Sequence, residues 1–243
     1  MHGVKHLAAR LCTGAALRSL HLPNCVRAND THTLPDGLGR CSGLERLRLN
    51  YNDIPDCGTV YYARSLPLCR LVLLDLTGNG IYNDGARALA ESLQHHSCLT
   101  ELLLPHNNLG FFGAAALLHN SSRCPTLATL DLTGNVIGRV RPARVRPSSQ
   151  PPVDRYFAVQ QLVLAETARG FQAFLAAAGQ CTALTSLKLA SNHLADPELA
   201  ALADAWGRQR PGLELHRPRA ALDRSAPGAT RRLHFGCCSV INT

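Results

Sequence analysis

At 243 residues, 46% of them apolar and 17% charged, the chain has the composition of a folded protein with one large domain or two small ones. No run of 18 or more apolar residues occurs, and the start, MHGVKHLAARLCTG, has no apolar stretch of signal-peptide length, so no transmembrane segment or export is expected and the chain reads as cytoplasmic. Aromatic residues make up only 5%; Leu and Ala dominate instead, which suits a core built from many similar small layers.

Taken in order, the chain opens inside a helix. Gly3, Leu7, Leu11 and Leu17 have the spacing of Gly85, Leu89, Leu93 and Leu99, so the first residues read as the helix of a copy whose strand is missing. The first full copy is Leu17, Leu20, Leu22 and Cys25, followed as far as Arg40 by a segment more loop than helix. The second is Leu44, Leu47, Leu49, Asn52 and Ile54. The third, Leu71 to Leu93, shows the unit most clearly. Leu74 and Leu76 alternate as a short strand does, and Asn79 follows where an inward carboxamide can pair with backbone that a tight turn leaves open. From Asn83 the period changes: Asn83 or Asp84 is placed to cap a helix in which Ala86, Leu89, Ala90 and Leu93 recur at helical spacing.

The fourth copy is Leu99, Leu102, Leu104, Asn107 and Leu109, and the fifth is Leu127, Leu130, Leu132, Asn135 and Ile137. Successive first leucines are 27, 27, 28 and 28 residues apart, a period held too tightly for chance. Residues 138–156 then carry Pro142, Pro147, Pro151, Pro152 and five arginines, so an extended loop is expected in place of the fifth helix. A weaker sixth copy reads at Val159, Leu162 and Leu164, with Thr167 in the Asn slot and Phe171, Phe174 and Leu175 in a shortened helix. The seventh is Leu184, Leu187, Leu189, Asn192 and Leu194, followed by Leu199, Leu202 and Trp206. A last strand is expected at Leu213 to Leu215. The domain is therefore placed at 1–216, with the insertion at 138–156, and 217–243 reads as a basic, disordered tail.

Cys41, Cys69, Cys98, Cys124 and Cys181 each precede the first Leu of a copy by one to three residues, so they recur because the unit recurs and read as small buried hydrophobes. His95, His96 and Cys98 have no second ligand cluster beside them and read as a surface group at a helix end, with no metal site.

The motif L-x-x-L-x-L-x-x-N/C-x-L in these copies resembles the leucine-rich repeat, and the period near 28 with a Gly-Ala-x-x-Leu helix resembles its ribonuclease-inhibitor subtype. The resemblance extends from residue 3 to about 215. It implies an α/β solenoid of about seven repeats plus a partial N-terminal helix, with a parallel β-sheet on the concave face and α-helices on the convex face. It also implies function by binding other proteins, without a cofactor or a small-molecule substrate. Cys25, Asn52, Asn79, Asn107, Asn135 and Asn192 would form its structural ladder.

The residues between the buried leucines face the concavity. Leu73 and Leu103 are apolar there, with Arg46 and Arg48 on one side and Asp75, Glu101 and Asp131 around them, an apolar centre in a charged rim as protein interfaces have. Of the net +8, residues 139–155 hold +4 and residues 208–243 hold +5, which leaves −1 for the rest. These Arg-rich segments lack interleaved aromatics, which argues against nucleic acid; an acidic partner is the class they would meet. Gly78 and Gly80 belong to a repeat turn and not to a phosphate loop, and no nucleophile elbow is present, so no enzyme is expected. The leading reading is a protein-binding adaptor or scaffold. The alternative is a structural subunit of a cytoskeletal or ciliary assembly that covers the bare first layer, and a more remote one is an activator of a small GTPase.

Overall fold

The computed structural model describes residues 17–27, 32–41, 43–138, 153–207 and 214–216. Seven three-residue strands, β1 (Ser19–His21), β2 (Arg46–Arg48), β3 (Leu73–Asp75), β4 (Glu101–Leu103), β5 (Thr129–Asp131), β6 (Ser186–Lys188) and β7 (Glu214–His216), form one sheet in chain order. All neighbours are parallel, in a register that aligns Leu20, Leu47, Leu74, Leu102, Leu130, Leu187 and Leu215 in a single row. Within that row Leu47 through Leu187 are fully buried, each removal from water contributing about 1.5–3 kcal/mol.

Between the strands run α1 (Thr33–Leu38), α2 (Asp56–Ser65), α3 (Asn83–Leu93), α4 (Phe111–Ser121), α5 (Val153–Gln180) and α6 (Asp196–Gly207). Each helix turns its small and leucine residues inward: Ala86, Leu89, Ala90 and Leu93 of α3 are at most 1% exposed. Packed helices need about 8–10 Å between axes and paired strands only about 4.8 Å, so the strands take the inner, concave side.

The turn after each strand follows one rule. The residue before the Asn slot is left-handed in every copy, at Asn24, Tyr51, Gly78, His106, Gly134 and Ser191, with φ from 53° to 69°. That twist turns the next side chain, the Asn, into the core. Asn107 Nδ2 donates to the carbonyls of Leu76 (3.0 Å) and Leu104 (3.1 Å), and its Oδ1 accepts the Ile81 N–H at 3.2 Å. Asn52, Asn79, Asn135 and Asn192 repeat the arrangement, so each carboxamide ties its own turn to the preceding copy. Cys25, expected in this ladder, is exposed. Its thiol donates to the Pro23 carbonyl at 3.0 Å and only its backbone N–H joins, donating to Asn52 Oδ1, because a thiol cannot reach both ways as a carboxamide does.

Three expectations are corrected. The segment up to Arg40, read as loop, contains the short helix α1, whose Pro35 lies in the first turn where a missing N–H is harmless. The sixth copy does not exist: Val159, Leu162, Leu164 and Thr167 lie in α5, and β5 pairs directly with β6, Leu130 facing Leu187. A helix, not a loop, also fills the fifth convex position. Residues 139–152 of the Arg- and Pro-rich segment, the N-terminal half-copy at 1–16 and the tail at 217–243 lie outside the described residues, while the last strand runs Glu214–His216, one residue later than expected.

The register explains the miscount. Leu130 and Leu187 are paired in the sheet and 57 residues apart in sequence, two periods to within a residue, so an insertion of one period passes for a copy. The C-terminal part of α5 holds the true fifth-copy positions: Gly170 packs against Phe111 as Gly113 packs against Asn83, and Phe174 is fully buried in the place of Leu117. At 28 residues α5 is far longer than the 11-residue α3 and α4, and its Leu164, Ala165 and Glu166 are exposed.

Candidate functional site

On the concave side the strands present two rows. The first runs Ser19, Arg46, Leu73, Glu101, Thr129 and Ser186, and the second His21, Arg48, Asp75, Leu103, Asp131 and Lys188. All seven residues expected at the interface, Arg46, Arg48, Leu73, Asp75, Glu101, Leu103 and Asp131, are therefore brought together on three-residue strands that the leucine row holds rigid.

The environment of each differs from the sequence expectation. Leu73, expected bare, is only 6% exposed, since its in-register neighbours are the long side chains Arg46 and Glu101. Leu103 remains partly open, between Asp75 and Asp131, whose shorter side chains shade it less. Asp75 and Asp131 turn Oδ1 onto the N–H of Thr77 and Thr133, both at 3.0 Å, which fixes their orientation. Asp131 Oδ2 also meets Lys188 Nζ at 3.3 Å, a pair that crosses the insertion and was not foreseen because Lys188 was placed two copies away. Arg46 and Arg48 are exposed, and among the described residues neither forms an ion pair.

The helix side carries side chains that the sequence reading assigned elsewhere. Asn83 does not cap its own helix: its Oδ1 accepts the N–H of Gly110 at 2.9 Å and of Gly113 at 3.0 Å, capping α4 of the next copy. Asp56 does the same for α3 through the Tyr82 N–H at 2.7 Å, and a Cβ on Gly85 would come within 2.5 Å of that carboxylate. The glycine of the Gly-Ala-x-x-Leu motif is thus the space into which the preceding copy's cap fits.

Cys41, Cys69, Cys124 and Cys181 are buried as expected, and the seven described cysteines are free thiols. Burial, and next the nearby Cys41, pushes the Cys69 thiol up to about 11, so it stays protonated while its Sγ–H meets the Leu38 and Ser65 carbonyls. In the third copy the slot belongs to His96 and not to Cys98. His96 is 4% exposed, not a surface residue, and its Nδ1 accepts the N–H of Leu99 at 3.1 Å and of Cys98 at 3.3 Å. Desolvation lowers its pKa. Among the described residues no group of three or more His, Cys, Asp and Glu could hold a metal ion, and no helix is long and apolar enough to cross a membrane.

The leucine-rich repeat family profile matches residues 69–90, 123–139 and 180–203, which fall on the third, fifth and sixth strands with their turns. The chain carries leucine-rich repeats at those three stretches. It is 26% identical over 237 residues to human NACHT, LRR and PYD domains-containing protein 12, a match that covers 94% of this chain and 22% of the relative, so the chain spans about a fifth of that protein's length. Among solved structures it is similar to the actin-binding site 2 of leiomodin-1 (11% identity, 84% of this chain and 87% of that one, TM-score 0.45). It is also similar to the tropomodulin C-terminal domain of Caenorhabditis elegans (13% identity, 84% and 92%, TM-score 0.40) and to the BIR2 ectodomain of Arabidopsis thaliana (24% identity, 43% and 49%, TM-score 0.27).

Proposed function

We propose that the chain is a non-catalytic protein-binding module, an adaptor or scaffold of the cytoplasm that takes its partner on the concave face. The repeats read as the ribonuclease-inhibitor-like kind, on their period of 27 to 28 residues and their 11-residue helices. The observation that supports the binding reading is Leu103: an apolar side chain left half-buried at the centre of the sheet, in register between two carboxylates whose orientation is fixed. A partly exposed apolar point ringed by preset charges is the anatomy of a protein contact. A small ligand would ask instead for a deep enclosed pocket.

The test is affinity purification from the native cell with the wild-type chain and with Glu101→Arg/Leu103→Asp. Both substitutions lie on the open side of β4 and leave Leu102 in the core. A stoichiometric partner present with the wild type and absent with the variant supports the reading, and a partner retained by the variant contradicts it.

A further inference from the structure

We infer that Arg46 and Arg48 grip an extended acidic segment of the protein partner, with carboxylates two residues apart; the inference rests on the concave-face reading above. Neither guanidinium has an ion-pair partner among the described residues, whereas Lys188, the other cation of these rows, is paired with Asp131. On the β1 side their in-register neighbours are Ser19 and His21, neither of them acidic. On the β3 side Asp75 lies beside Arg48 but directs its Oδ1 to the Thr77 N–H, and Glu101 is separated from Arg46 by Leu73. Two exposed guanidinia therefore stand on one strand with no ion pair among the described residues.

Their spacing sets the occupant. Same-face residues of a strand repeat every two positions, about 6.8 Å apart, and any other extended chain has the same repeat. A segment running along β2 with acidic residues at i and i+2 brings a carboxylate to each guanidinium, where Arg offers two parallel N–H donors. The orientation is restricted as well. A segment running across the sheet would carry its negative charge over Asp75 and Glu101 within one or two strand spacings, so a continuous polyanion such as a nucleic acid is repelled where a short acidic stretch is not.

The test uses fluorescence anisotropy at low salt with the full chain and three labelled probes. One peptide carries Glu at i and i+2, the second is its isomer with the two Glu adjacent, and the third probe is an oligothymidylate. The i,i+2 peptide should bind about tenfold more tightly than its isomer, and Arg46→Glu/Arg48→Glu should remove that binding while the far-ultraviolet spectrum and melting temperature stay unchanged. Equal affinity for the two isomers, indifference to the charge reversal, or tighter binding of the oligonucleotide would overturn the inference. Capture of the native partner separates the two levels. If Arg46→Glu/Arg48→Glu retains a partner that Glu101→Arg/Leu103→Asp loses, the acidic-segment inference fails and the concave-face reading stands. If both variants retain it, the concave-face reading itself fails.

Discussion

The ring of Tyr51 lies across Gly78 of the next repeat, so close that a Cβ on Gly78 would stand 2.5 Å from Tyr51 Cδ1. Both residues are left-handed, at φ 56° and 67°, and His106 stands to Gly134 in the same relation one pair further on. A bulky residue and a glycine thus alternate at one turn position. Gly78→Ala meets both a left-handed penalty of about 1–2 kcal/mol and the ring, and is expected to destabilise by more than either alone. In a Tyr51→Ala background the ring contribution disappears and only the backbone part remains, which a double-mutant cycle by urea denaturation would measure.

The Asn ladder predicts an asymmetry between two substitutions. Asn107→Ala leaves the buried Ile81 N–H without its acceptor, at about 1–3 kcal/mol, and takes one of two donors from the Leu76 and Leu104 carbonyls, which keep Asn79 Nδ2 and Asn135 Nδ2. Asn107→Asp keeps the acceptor but turns the carboxylate toward those two carbonyls. It should be the worse of the two at neutral pH and recover in part below the carboxyl range, as the protonated acid regains a donor. Chemical denaturation at two pH values checks this.

Removing the trans cap has a local signature. Asn83→Ala should cost about 1 kcal/mol and raise hydrogen exchange at the Gly110 and Gly113 amides, at the start of the neighbouring helix, more than within α3 itself.

Much of this fold was legible because the unit's residues are set by local packing: the leucines recur at strand spacing, Asn52, Asn79, Asn107, Asn135 and Asn192 turn inward, and Ala86, Leu89, Ala90 and Leu93 recur at helical spacing. The false copy at Val159, Leu162 and Leu164 arose because three apolar residues within six positions do not separate a strand from one side of a helix, and because the insertion is one period long. The sign of it was present in Thr167, which stands where the other copies have Asn or, in the first, Cys25. The cover over Leu73 was not legible, since it depends on which side chains the register places beside it. Nor were the trans caps Asp56 and Asn83, which act on the next copy and look from the sequence like caps for their own helices.

His96 gives a pH dependence of fixed sign. Burial lowers its pKa below the ordinary value of about 6.5, so the folded state binds fewer protons than the unfolded one. Its contribution is whole above the unfolded pKa and is lost as pH falls below it toward the folded value. His96→Cys, which installs the residue found at Cys41, Cys124 and Cys181, should flatten the loss of stability between about pH 7 and 5. Thermal melts across that range would show an unchanged slope if His96 were not responsible.

The central claim is that the concave strands meet the partner, and side-chain footprinting of the purified complex tests it most directly. Hydroxyl-radical and arginine-selective labelling should show protection at Arg46, Arg48 and Leu103 on binding, with Arg64 of α2 and Arg87 of α3 on the convex side labelled as in the free chain. Protection of Arg64 and Arg87 with Arg46, Arg48 and Leu103 unchanged would place the partner on the helices and contradict the account.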